Sequence, residues 1–205
     1  MIKNVVFDIG LVLISFEWRE LMKDCGIKDE EIDRMAEATV NSKYWYELDR
    51  GILSEEEIVE GFISIAPEFE DKIRLFFSRV PDILNPYDYS DGWLESVKAR
   101  GYKIYFLSNF SNRAFNKCKS KYSFLRHGDG AIISYLHKCV KPEKAIYDTL
   151  TSTYGLLAEE CVFIDDNEAN IKAADSFGFN TIRFFGYDDA SKKLDNMLKE
   201  RGICG

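Results

Sequence analysis

No two cysteines in this chain are spaced as CxxC. The five present, Cys25, Cys118, Cys139, Cys161 and Cys204, are scattered and odd in number, which speaks against a zinc site, a redox dithiol or a disulfide framework and for reduced thiols. Cys161 opens an apolar run and reads as a core residue, whereas Cys204 is expected to be exposed. A stripe of basic residues is also missing. Lys and Arg number 27 against 35 Asp and Glu, a net charge of −8, and affinity for a nucleic acid backbone rests on clustered cations. An anionic substrate would meet the same unfavourable field, so its site must bring local positive charge, which points to a bound metal. The opening MIKNVVFDIG has one Lys and an apolar stretch too short for a signal peptide core or a membrane span, so a cytoplasmic protein with no membrane partner is expected. Internal repeats and low-complexity linkers are absent as well.

What is present suits a folded domain. The chain has 205 residues, 46% of them hydrophobic, enough for a core of ordinary size. KNVVFD (3–8), YKIYFLSN (102–109) and CVFIDD (161–166) are short apolar, β-branched or aromatic runs ending in polar residues, the pattern of buried strands running into loops. NTIRFF (180–185) is a fourth candidate and AIIS (131–134) a weaker fifth. Helical patterns fall near 91–100, 143–154, 167–177 and 189–201. Strands alternating with helices predict an α/β fold, a Rossmann-like doubly wound parallel sheet covered on both faces. Between about 15 and 87 the chain turns acidic and amphipathic without a buried strand. That segment reads as an inserted helical cap, with a helix near 54–65 opened by a Ser54/Glu57 capping box. The expected division is a core of 1–14 and 88–205 and a cap of 15–87.

Ligands of open α/β sheets lie beyond the carboxyl ends of the strands. Here those ends carry Asp8, then Ser108 with Asn109, then Asp165 with Asp166. Lys141 precedes Pro142 at the entry to a helix, which fixes its place on the rim. Taken singly, Ser108 is a strand end, Lys141 a solvated charge and Asp166 a helix cap. Taken together, four polar elements in this order describe one site. Three carboxylates meeting where an anion must bind would repel it and each other, and a divalent cation resolves that conflict.

FDIGLVL, LSN, VKP and FIDDNEANIKAA resemble, in order and spacing, the four motifs of the haloacid dehalogenase superfamily, with the helical insertion at the position of its C1 cap. The resemblance spans nearly the whole chain. It is nearest to small bacterial sugar-phosphate phosphatases of the glucose-1-phosphate type, whose first motif reads DxGN and whose cap carries an ERGEIS-like stretch, here DRGILS at 49–54. The resemblance implies hydrolysis of a small phosphorylated metabolite, sugar phosphates first, through an aspartyl-phosphate on Asp8. Ser108 and Asn109 would bind the phosphoryl group, and Lys141 would offset charge on it and on the nucleophile. Mg²⁺ would be held by Asp8, the Gly10 carbonyl and Asp166, with Asp165 helping through a water. Monomer and homodimer are both open.

The pattern breaks at three positions. The family's phosphatases usually have a second Asp where this chain has Gly10, and that Asp protonates the leaving alkoxide and then activates water. Leu11 stands where nearer relatives have Asn or Gly, and Asn170 where an acid is common. Three readings follow. The protein is a phosphatase whose ester leaves easily or whose acid comes from water or the cap, with Glu17, Glu47 and Asp49 as candidates. It is a metal-free 2-haloacid dehalogenase, a reading that Gly10 permits and the Asp165–Asp166 pair opposes. Or it is a catalytically silent binding module. Trp18, Tyr44, Trp45 and Tyr46 of the cap would stack on a sugar or close a dry lid, or form the cap's own core. Arg19 and Arg50 would reach a second anionic group or lie solvated on the surface. His127 and His137 fall outside the motifs and receive no role.

Overall fold

The computed structural model describes residues 1–199. Five strands, β1 (Asn4–Phe7), β2 (Lys103–Ser108), β3 (Gly130–Ile133), β4 (Cys161–Asp165) and β5 (Asn180–Arg183), form one sheet in the order β3-β2-β1-β4-β5. All neighbours run parallel, with Asn4 opposite Lys103 on one side and Cys161 on the other. Every expected strand is present, including the weak fifth.

The alternation of side chains along β1 divides the core. Val5 and Phe7 face a cluster with Ile104, Phe106, Val162 and Ile164, covered by Trp93, Leu94 and Val97 of one helix and Leu194 of another. Val6 faces the opposite layer with Tyr105, Leu107 and Phe163, covered by Ile146, Tyr147, Leu150 and Ala174. A strand buried on both faces is mostly apolar, and β1 is buried at all four positions, its one polar residue, Asn4, donating to Cys161 Sγ.

The helices, in chain order, are α1 (Trp18–Asp24), α2 (Ile32–Ala38), α3 (Lys43–Arg50), α4 (Glu55–Ile65), α5 (Glu70–Arg79), α6 (Ser90–Ala99), α7 (Asn112–Cys118), α8 (Ser134–His137), α9 (Lys144–Tyr154), α10 (Glu168–Ser176) and α11 (Tyr187–Lys199). Helices α6 and α11 pack on one face of the sheet, α9 and α10 on the other. Helices α1 to α5 gather around a separate cluster that includes Leu21, Met35, Ile58, Phe62, Ile73 and Phe76. In α4 the expected capping box forms: Ser54 Oγ accepts from the Glu57 N–H at 3.3 Å, and the Ser54 N–H donates to Glu57 Oε2 at 2.8 Å. Cys25, Cys118, Cys139 and Cys161 are buried free thiols, whereas Cys204 lies outside the described residues, as does the end of the helix expected at 189–201. Among the described residues no helix is long and apolar enough to cross a membrane.

The loop leaving β1 is held by core contacts. Tyr89 Oη donates to the Val12 carbonyl and Ser90 Oγ to the Leu13 carbonyl, both at 2.7 Å. Within this loop Leu11 adopts φ 56° and is 41% exposed. That left-handed backbone suits Gly, which has no Cβ to crowd the following carbonyl, and Asn, whose short polar side chain hydrogen-bonds locally and offsets that crowding, better than Leu. Leu11→Asn is expected to raise stability by about 1 kcal/mol in urea unfolding, and an unchanged midpoint would show that the turn carries no strain.

Candidate active site

The order of the sheet places its switch point between β1 and β4, where the connections leave in opposite directions and a crevice opens at the strand ends. Asp8 follows β1 at that crevice and is 7% exposed. Its Oδ1 accepts from Ser108 Oγ and from the Ile9 N–H, each at 2.7 Å, and lies 2.9 Å from Lys141 Nζ. Its Oδ2 accepts no hydrogen bond from the described residues.

Lys141 is almost wholly buried yet charged, because two carboxylates flank it: Nζ is 2.9 Å from Asp8 Oδ1 and 2.7 Å from Asp165 Oδ2. Asn109 fixes its backbone from both sides, donating Nδ2 to the Lys141 carbonyl at 3.0 Å and accepting the Lys141 N–H on Oδ1 at 2.8 Å. Asp165 is inaccessible to solvent and fully engaged, taking the Asn167 N–H at 2.8 Å and Asn170 Nδ2 at 3.1 Å in addition to Lys141. Asn170 is therefore a neutral donor that suits an already charged neighbour, and Tyr147 Oη secures its carbonyl at 3.0 Å. Asp166 is half-buried.

Electrostatics make the site a fit for a divalent cation. Asp8, Asp165 and Asp166 each offer an oxygen within 4.8 Å of the others, while Lys141 supplies one positive charge. Burial pushes the Asp8 carboxyl up to about 7; Lys141 works against this, and the charges of Asp165 and Asp166 add to it. Burial and then Asp165 also raise Asp166. Burial alone would pull the Lys141 ammonium down, but Asp165 and Asp8 outweigh it and hold it protonated.

A pocket runs from this crevice to the helical segment, lined from the core by Gly10, Ile14, Asn109 and Phe110 and from the helices by Trp45, Leu48, Asp49 and Phe77. Of the three acids proposed from the sequence, Asp49 is the one in the pocket. Burial, reinforced by the charge of Asp8 and opposed by Lys141, holds its carboxyl up at about 7. Glu47 pairs with Arg50 at 3.3 Å, and Glu17 is exposed. Trp45 packs between Phe16 and Phe62 and lines the pocket, while Tyr44 packs against Phe62 and Tyr46 is exposed. Trp18 lies under the Arg19 guanidinium, and Arg19 pairs with Asp33. Arg50 is spent on a two-pronged pair with Glu143, at 2.6 and 2.8 Å. Neither arginine lines the pocket. His127 sits 3.2 Å from Asp91, and neither it nor His137 lines the pocket.

The raised carboxyls have a consequence for stability. Asp8 and Asp49 hold protons in the fold up to about pH 7 but release them near 3.8 when unfolded, so between those values the native state binds more protons and stability falls as pH rises. Melting of the chelator-treated protein should therefore drop from pH 5 to pH 7.5, and added Mg²⁺ should raise it more at pH 7.5, where its ligands are deprotonated. Equal Mg²⁺ effects at both pH values would count against the carboxylate cluster as the binding site.

The chain belongs to the haloacid dehalogenase-like hydrolase family, whose model matches residues 2–178, and it is a hydrolase. It is similar to a sesquiterpene phosphatase of Aspergillus oryzae, 23% identical over 86% of each chain. It is also similar to a D-ribitol-5-phosphate phosphatase of Bacteroides thetaiotaomicron, 26% identical over 89% of this chain and 92% of the relative. Two further curated relatives are longer, and the chain spans 61% and 38% of them. Among solved structures, a family enzyme of Bacteroides thetaiotaomicron in complex with magnesium and inorganic phosphate shares the fold, with a TM-score of 0.68 and 23% identity over 89% of this chain and 94% of that one.

Proposed function

We propose that this hydrolase cleaves a small phosphomonoester in a Mg²⁺-dependent reaction, through an aspartyl-phosphate on Asp8. The observation that carries the reading is the Asp8 carboxylate: three donors hold one oxygen, the other is free, and the group sits at the switch-point crevice beside two more acids. A carboxylate held in this way is oriented for attack by its free oxygen. The phosphatase relatives support the same chemistry.

In this reading Asp8 Oδ2 attacks phosphorus and the bond to the alcohol oxygen breaks. Water then attacks the aspartyl-phosphate and frees phosphate and Asp8. Ser108 Oγ, turning its proton away from Asp8, and the second Nδ2 hydrogen of Asn109 bind phosphoryl oxygens, and the Lys141 ammonium offsets charge on the nucleophile and the phosphoryl group. Asp165, bound on both oxygens, positions Lys141. Asp8, the Gly10 carbonyl and Asp166 would hold Mg²⁺, with Asp165 behind them, and the ion supplies charge neutralisation for the phosphoryl group. Residues 15–87 serve as the cap over a core of 1–14 and 88–205, and the substrate is a cytoplasmic metabolite.

The three clustered acids oppose a metal-free dehalogenase, since halide departure needs no cation and the cluster would repel a haloacid carboxylate. Phosphate release from p-nitrophenyl phosphate, glucose 1-phosphate, glucose 6-phosphate and acetyl phosphate tests the reading. It is expected with Mg²⁺ and absent with chelator; turnover of 2-chloropropionate in chelator, with no phosphate release from the panel, would replace it with the dehalogenase.

A further inference from the structure

Gly10 leaves the site without the acid that an ordinary phosphate ester needs, because an alkoxide departs poorly unless it is protonated. We propose, on the phosphatase reading above, that Asp49 is the catalytic acid and base: it protonates the departing alcohol oxygen and then takes a proton from the water that attacks the aspartyl-phosphate. The proton balance closes. Neutral Asp49 gives its proton to the oxygen as the P–O bond to the alcohol breaks; the resulting carboxylate accepts one from water as hydroxide bonds to phosphorus, and the P–O bond to Asp8 breaks.

Position supports the assignment. Attack and departure lie roughly in line, so with Asp8 on the sheet the leaving oxygen points to the helical wall, where Asp49 is the only acid among the described residues lining the pocket. Three other polar side chains there are engaged elsewhere. Asn109 clamps Lys141, Ser111 accepts from the Ala114 N–H to cap α7, and Arg113 donates to the Ser78 carbonyl and pairs with Glu55. The Asp49 carboxyl accepts no hydrogen bond from the described residues. Its backbone, by contrast, is anchored to the core. Ser134 Oγ donates to the Asp49 carbonyl at 2.6 Å while accepting the Phe110 N–H at 2.9 Å. Arg50 locks onto Glu143, and Lys138 Nζ donates to the Gly51 carbonyl. Gly51 takes a left-handed φ of 70°, and a Cβ there would come within 3.0 Å of Tyr135 Cβ, so the chain leaves α3 pressed onto α8. A free carboxyl on an anchored backbone is how a proton donor is preorganised. Its raised pKa lets it hold the proton near neutral pH.

The test compares kcat/KM, which reports steps up to alcohol departure, for benzyl phosphate and p-nitrophenyl phosphate. Asp49→Asn is expected to lose about 10²–10⁴-fold on benzyl phosphate and less than about tenfold on p-nitrophenyl phosphate, whose alcohol needs no proton. Gly10→Asp in the Asp49→Asn background should restore benzyl phosphate turnover, since a Cβ at Gly10 meets nothing within 4 Å. Equal losses on both esters, or none, would overturn the assignment while leaving the phosphatase intact. A folded wild type silent on both would overturn the phosphatase reading and the assignment with it.

The pocket walls carry a second inference independently. Apart from the polar groups above, the lining includes Ile14, Phe16, Trp45, Leu48, Phe77 and Leu84. Sugar hydroxyls entering there would lose water and find few free partners, the Asp49 carboxyl and the Trp45 indole N–H among them, at a cost to binding, whereas hydrocarbon gains by burial. We infer that the alcohol part of the substrate is apolar, an alkyl or aromatic group rather than a sugar. Each buried methylene is worth about fourfold in kcat/KM, so n-hexyl phosphate should exceed glucose 6-phosphate by tenfold or more on that scale. Trp45→Ala should erase most of that gap by lowering only the hexyl value. Preference for the sugar phosphate, or a Trp45→Ala loss shared by both esters, would overturn it, and silence on both would count against the phosphatase reading.

Discussion

Asp8→Asn is expected to fold and to lose phosphomonoester turnover by about 10⁴-fold or more, the scale seen when a covalent nucleophile is removed. The amide keeps the size of the side chain and an oxygen that can accept from Ser108 and the Ile9 N–H, which now hold Oδ1 at 2.7 Å. It has no anionic oxygen to attack phosphorus. The fold should not suffer, because the replaced carboxyl is one that burial disfavours in its charged form. In chelator at pH 7.5 the variant should melt no lower than the wild type, and the Mg²⁺-induced rise in melting temperature should shrink. Retained turnover would remove Asp8 from the chemistry and with it the covalent route.

Lys141→Met should have the largest effect on stability. The methionine fills a similar volume but leaves Asp8 and Asp165 without the cation that lies 2.9 and 2.7 Å from them. Removing one partner of a buried ion pair typically costs about 3–5 kcal/mol, because the other charge stays buried and unpaired, and that is a large share of a domain's total stability. Adding Asp165→Asn should recover part of the loss in urea unfolding, since it removes one orphaned carboxylate, while activity stays absent because the cation on the nucleophile is still missing. An unchanged unfolding midpoint in the single variant would mean that Lys141 does not neutralise the cluster.

Much of this arrangement was legible in the sequence. The three central strands β1, β2 and β4 are short buried runs with polar ends, the signature of a parallel sheet covered on both faces, whereas the edge strands β3 and β5 are only partly buried. Their order brings Asp8, Ser108, Asn109, Asp165 and Asp166 to one edge, and Lys141 joins them. Helix α7 and the turns after it, residues 112–127, were not anticipated, since NRAFNKCKSKYSFLRH has no clear apolar period; Phe115, Cys118, Tyr122 and Phe124 pack there because the sheet edge offers a surface. Glu17, Glu47 and Asp49 look alike in sequence. What separates them is tertiary: Ser134 and Glu143, more than eighty residues away, fix the end of α3 so that Asp49 meets the pocket while Glu47 turns to Arg50. The departures at Leu11 and Asn170 were visible as departures, but a left-handed turn and a carboxylate clamp are conformational facts that residue types alone do not state.

The central claim is that phosphate passes through Asp8. Wild-type protein mixed with p-nitrophenyl phosphate and Mg²⁺, quenched in acid within the first turnover and digested for mass spectrometry, should carry one phosphoryl group on the peptide containing Asp8. The adduct should disappear in Asp8→Asn. Rapid p-nitrophenol release with that peptide unmodified throughout the first turnover, or a phosphoryl group on another residue, would contradict the account.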